Sequence, residues 1–182
     1  MEKVIYIVRH CEALGQAPEA PLSVRGKEQA EELAAFLLQQ ASIERIISSP
    51  YKRAVDSIAP LARELGLEIE LDERLKERVL SAGPLENWLE CLRQSFVDVD
   101  LCFEGGESGR AAQKRARAVV QEALATPAQS TLLVSHGNLT ALLLHSFDTS
   151  YGFETWKMMT NPDVFCVTMK ALPIVERIWQ KR

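Results

Sequence analysis

The chain is poor in the residues that build metal centres and disulfide frameworks. Of its 182 residues only three are histidine and four are cysteine. Cys11, Cys91, Cys102 and Cys166 include no C-x-x-C pair, so neither a zinc knuckle nor a redox couple of that spacing is present. Three histidines leave little for a multi-histidine site, and no metal or cofactor is expected. No segment approaches the ~20 apolar residues of a membrane span. The opening "MEKVIYIVRH" has a short apolar run, no Ala-x-Ala cleavage site, and ends in Arg and His, unlike a signal peptide. A cytoplasmic protein without a membrane partner is the expectation. Excess positive charge is also missing: Lys and Arg total 21 against 25 Asp and Glu, a formal net charge of −4. That argues against nucleic-acid binding, which needs many phosphate-neutralising cations. Any cationic site must be local. Composition leaves the oligomeric state open.

What is present is ordinary for a globular chain: 47% hydrophobic and 25% charged residues, with no internal repeat or low-complexity linker. One domain over 1–182 is expected. The pattern alternates strand and helix. Lys3–Arg9 and Ile43–Ser48 are β-branched runs of strand length. Between them Ser23 caps a helix reaching Gln40, with Ala30, Leu33, Ala34, Leu37 and Leu38 at helical spacing. Ser49-Pro50 reads as the cap and first residue of a second helix that ends near Gly66. A helix over 108–125, a strand over Thr131–Ser135, a helix over 138–147 and strand runs at 164–169 and 174–179 complete the chain. This pattern implies an α/β fold in three layers, a mostly parallel sheet with helices on both faces. The last two strands are expected as an antiparallel hairpin at its edge. Trp88 falls with Leu85, Leu89, Leu92 and Phe96 at helical spacing, a stripe whose default reading is core.

Three strand ends share one chemistry. The first ends at Arg9-His10, the second at Ser48-Ser49-Pro50 with Arg53 one turn later, and the third at Ser135-His136-Gly137. In open α/β sheets ligands bind beyond the carboxyl ends of the strands. Two of these clusters also precede helices, whose N-termini favour anions. Two arginines, two histidines and two helix starts facing one crevice describe a phosphate site.

In this light the motifs resemble one family. Arg9-His10-Cys11-Glu12 resembles the Arg-His-Gly-Glu/Gln signature of the histidine phosphatase superfamily, the phosphoglycerate mutase-like proteins. "PLSVRGKEQA", "SSPYKRAVDSIAPLA", "RLKERVLSAG", "EGGES" and "LLVSHGNLTALLL" resemble its further blocks, in order, from about Val4 to Leu144. The resemblance implies a phosphoglycerate mutase-like fold and a metal-independent phosphomonoester hydrolase. His10 would form a phosphohistidine, and Arg9, Arg53 and His136 would hold the phosphoryl oxygens, with His136 most useful when protonated. Glu77 would be the general acid, and the Gln16 amide stands where relatives carry an Asn that touches phosphate. Residues 79–104 fall where the family places a substrate-selecting insertion, so a helical lid is the alternative to a core reading of that stretch. The partner would be a small phosphorylated metabolite.

Other phosphatase chemistries find no support. A C-x5-R loop is absent, because the sixth residue after each cysteine is Ala17, Val97, Ser108 or Leu172. "FVDVDLC" resembles an Asp-x-Asp-x-Thr nucleophile only superficially, with Cys102 in place of the Thr. There is no G-x-S-x-G elbow and no Walker A loop. Cys11 replaces the family's glycine. Either the turn accepts any small residue, or the thiol sits by the phosphate pocket, where positive charge favours an oxidisable thiolate. Similar mutases run longer, and their Glu-Arg-His-Tyr segment reads Glu77-Arg78-Val79-Leu80 here, which favours hydrolysis. Mutase-type transfer and a catalytically weak binding module are the alternatives.

Overall fold

The computed structural model describes residues 2–179. Six strands, β1 (Lys3–Arg9), β2 (Arg45–Ser48), β3 (Ile69–Leu71), β4 (Ser130–Ser135), β5 (Asp163–Met169) and β6 (Ile174–Arg177), form one sheet in the order β3-β2-β4-β1-β5-β6. The first four in that order run parallel, and β5 and β6 extend the sheet antiparallel at one edge. The fold is the expected three-layer α/β sandwich. Strand alternation assigns the two faces. Ile5, Ile7, Ile47 and Leu133 share a core cluster with α3 (Trp88–Val97), α4 (Gly109–Ala125) and α5 (Gly137–His145). Val8, Ile46, Leu132 and Val134 share another with α1 (Val24–Gln40) and α2 (Lys52–Leu65). Each such buried aliphatic side chain contributes about 1.5–3 kcal/mol. No helix of the described residues is long and apolar enough to cross a membrane.

Local signals set most boundaries. Ser23 Oγ accepts the Gly26 N–H at 2.9 Å and Ser108 Oγ that of Ala111 at 3.1 Å, so both helices start at their serine caps. The start of α2 differs from expectation. Tyr51, not Ser49, is its cap residue, and Pro50 lies outside the helix. The Ser49 hydroxyl instead faces His136, 2.8 Å away, and only weakly reaches the Tyr51 N–H at 3.3 Å. β3 is three residues long and α6 (Phe153–Met158) six, both too short for a periodicity to develop. The stripe through α3 is only half core. Leu92 and Phe96 are buried, but Trp88 is 52% exposed and meets Trp156 of α6 edge to face, ring centroids 6.0 Å apart.

Candidate active site

The topology explains why three strand ends meet. β2, β4 and β1 are neighbours in the sheet and all point the same way. The His10 N–H donates to Ser135 O at 3.1 Å and the Ser49 N–H to Val134 O at 2.9 Å, so each strand hands its last residue to the next strand's end. His10 and His136 thereby come edge to face, ring centroids 5.1 Å apart.

His10 is 7% exposed and its orientation is determined by its partners. Nδ1 lies 2.6 Å from the Cys11 carbonyl, which can only accept, so Nδ1 carries the proton. Nε2 then offers its lone pair, and the Arg53 Nε–H donates to it at 3.2 Å. Burial lowers the ring's pKa to about 4; the Cys11 carbonyl opposes the shift, and Arg53 and Arg9 add to it. The imidazole is neutral at pH 7, as a nucleophile must be. The turn around it is held from both sides: Asn161 Nδ2 donates to His10 O at 2.8 Å, and the Cys11 N–H donates to Ser57 Oγ at 2.8 Å.

Arg53 is 1% exposed. Its Nη1 donates to the carbonyls of Gln16 at 3.1 Å and Ala17 at 2.9 Å, and its guanidinium lies 4.9 Å from the centre of the Tyr51 ring. The loop after β1 is therefore wrapped onto the start of α2. Gln16 takes part through its main chain, and its side chain is exposed. Arg9 Nη1 donates to Met159 O at 3.1 Å, while its buried Nε has no partner among the described residues. Gly137 makes room for this guanidinium, since a Cβ there would lie 3.1 Å from Arg9 Cζ. Burial lowers the pKa of both arginines, and the Glu77 carboxylate opposes that shift in both.

Glu77 joins the cluster at the start of α5. Oε1 accepts from the N–H groups of Arg78 at 2.8 Å and Leu139 at 2.9 Å, and Oε2 from that of Asn138 at 3.0 Å. Two first-turn amides of α5, those of Asn138 and Leu139, are thus spent on Glu77. At α2 the Lys52 N–H goes to Pro18 O at 2.9 Å. At each helix start some of the amides expected to face an anion hold protein oxygens instead, and side chains add the positive charge.

Two further expectations are corrected. His136 is not a standing cation: burial, then the charges of His10, Arg53, Arg115 and Arg9, push its pKa well below the usual range. It is a neutral ring whose Nε2 meets Ser49, with Nδ1 buried and lacking a partner among the described residues. Cys11 is not a reactive thiol by the pocket. It is 0% exposed in the core under α1 and α2, and burial pushes its pKa up to about 12. No non-glycine residue described has a positive φ, so the turn does not demand the family's glycine. Sequence reasoning missed Ser57, Asn161 and Tyr51 as supports. Ser57 and Tyr51 lie inside the "SSPYKRAVDS" block, whereas Asn161 stands 151 residues from its partner His10 and left no local signal.

The described residues hold no group of three or more His, Cys, Asp or Glu side chains able to share a metal ion. The family profile "Histidine phosphatase superfamily (branch 1)" matches residues 5–170. The chain belongs to the histidine phosphatase superfamily. It is 30% identical over 172 residues to "Probable phosphoglycerate mutase GpmB" of Escherichia fergusonii, covering 84% of this chain and 76% of that one. Among solved structures it superposes on a mycobacterial glucosyl-3-phosphoglycerate phosphatase with a TM-score of 0.75, at 22% identity and 98% coverage of both chains. An Entamoeba histolytica phosphoserine phosphatase mutant in complex with phosphoserine gives 0.73, at 19% identity and 96% coverage of both.

Proposed function

We propose that this protein is a metal-independent phosphomonoester hydrolase of the cytoplasm that works through a phosphohistidine on His10. The observation that carries the reading is the state of the His10 ring: Nδ1–H tied to Cys11 O, and the Nε2 lone pair aimed at Arg53. A phosphoryl group entering between them takes over the Arg53 donor and meets a free lone pair. Nε2 attacks phosphorus, the ester P–O bond breaks, and Glu77, protonated in the substrate complex, gives its proton to the leaving alkoxide. Water then attacks the phosphohistidine, returning a proton to Glu77 and releasing inorganic phosphate. Arg9 and Arg53 hold the phosphoryl oxygens, where each charge-assisted hydrogen bond is worth about 1.5–3 kcal/mol. His136 serves as a neutral donor whose pKa rises when the dianion arrives. Gln16 reaches the phosphate by its amide only if the loop after β1 closes, and residues 79–104 form one side of the substrate entrance, as a lid. The substrate is a small phosphorylated metabolite; the similarity to phosphatases named for phosphoserine and glucosyl-3-phosphoglycerate makes hydroxy-acid phosphates the first panel to try.

The test is to trap the intermediate. Protein mixed briefly with labelled phosphomonoester, quenched in alkali and mapped by mass spectrometry should carry phosphate on His10, and His10→Ala should retain its fold without turnover. Phosphate on a cysteine or aspartate would overturn the mechanism. The similarity to GpmB favours a second reading, phosphoryl return to a glycerate acceptor. Partitioning of the trapped intermediate between water and added phosphoglycerate separates the two.

A further inference from the structure

Glu77 sits on a segment with no regular structure of its own. The chain leaves a single 3-10 turn at Leu75 and enters its next helix only at Trp88. The α5 amides hold the carboxyl itself, so what places the main chain that carries it must come from elsewhere. Two side chains grip the segment on either side of Glu77. Arg115, from α4, forks onto the Glu107 carboxylate with Nε–Oε1 at 2.7 Å and Nη2–Oε2 at 2.9 Å. Its remaining nitrogen, Nη1, donates to Lys76 O at 2.9 Å and also to Arg74 O. On the far side, the Glu107 N–H donates to Val79 O at 2.8 Å. Arg78, 4% exposed, donates from Nε to Glu107 O at 2.9 Å and from Nη1 to Ser95 Oγ at 2.7 Å. Main chain before Glu77 and main chain after it are both tied to one residue pair, Glu107 and Arg115.

We infer that the Arg115–Glu107 pair is the positioning device for the Glu77 acid, an inference that rests on the general-acid reading above. Arg115 never touches the phosphoryl group or the leaving oxygen; it fixes where the Glu77 backbone begins. Glu107 is committed by its bidentate pair and is no rival acid. A partly buried ion pair stabilises little by itself, because desolvation offsets the attraction. Its geometry matters more here: a guanidinium can bridge a carboxylate and two carbonyls in one plane, which an ammonium cannot. Misplacing a catalytic group by about 1 Å can cost on the order of 10²-fold in rate.

The test compares leaving groups. Nitrophenolate departs without a proton, whereas an alkoxide needs one. Arg115→Met should slow hydrolysis of an alkyl phosphate about 10- to 100-fold while changing that of nitrophenyl phosphate less than about 3-fold. Combined with Glu77→Gln it should add nothing further on the alkyl substrate, since a displaced acid cannot be lost twice. Arg115→Lys should recover little. Equal slowing of both substrates by Arg115→Met, or an additive double variant, would overturn the inference. If Arg115→Met does not fold, Glu107→Gln, which keeps the Arg115 contacts to main chain but weakens the fork, is read the same way. The underlying assignment fails separately: it falls if Glu77→Gln alone slows both substrates equally.

Discussion

Proton uptake by His10 offers the most direct view of the site. The perturbation is acid. With the ring at about 4 in the folded protein and about 6.5 in an unfolded chain, roughly 90% of His10 is neutral at pH 5, against roughly 3% for an ordinary histidine. The neutral nucleophile is thus retained about 30-fold better at that pH than exposure would allow. The same difference is linked to stability. As pH falls below 6.5 the unfolded chain takes up the proton and the folded one does not, so folding loses free energy until about pH 4. The loss is about 3 kcal/mol from His10 alone, and His136, shifted in the same direction, adds to it. Stability is whole above about pH 6.5 and declines between there and 4. The assay is an NMR titration of the imidazole carbons, simple to assign because the chain has three histidines. It avoids the ambiguity of a rate profile, in which the substrate's own second ionisation near 6 intrudes. Arg53→Met should raise the His10 midpoint yet leave it below 6.5, because burial is the largest cause and Arg53 a lesser one. A midpoint at or above 6.5 in the native protein would refute the reasoning.

Three other outcomes are expected. Cys11→Gly should stay within a few-fold of native activity, and mild peroxide should inactivate native and variant at the same rate, because the thiol is buried and pushed up to about 12; inactivation that phosphate slows and Cys11→Gly abolishes would contradict this. Gly26→Ala should destabilise the fold by at least about 1–3 kcal/mol in urea, since the new Cβ would lie 1.9 Å from Glu12 O, main chain two residues after His10; an unchanged midpoint would refute the packing. Turnover should survive excess chelator, and loss restored by a divalent ion would contradict the metal-independent mechanism.

Most elements were legible because their signals are local. A β-branched run ending in Arg9-His10, a serine three residues ahead of its amide partner, or a glycine at the end of α2 needs only near neighbours in the chain. The convergence of His10, Arg53 and His136 was also foreseeable, from parallel strands ending alike. Glu77 was reached through resemblance alone, because nothing in "RLKERV" says that its carboxylate will cap a helix 60 residues later. What only tertiary structure decided is the electrical state of these groups. In the sequence His136 reads as an imidazolium, and a thiolate beside the phosphate is one of two readings of Cys11. At Cys11 burial decides, with the Glu32 carboxylate acting the same way, and at His136 burial and positive charge act together to keep the ring neutral. The order β2-β4-β1, the loop carbonyls that Arg53 satisfies and the exposure of Trp88 likewise depend on which strands become neighbours. Sequence sets which side chains arrive at the strand ends; packing sets how much water each of them loses, and that decides which ones carry charge.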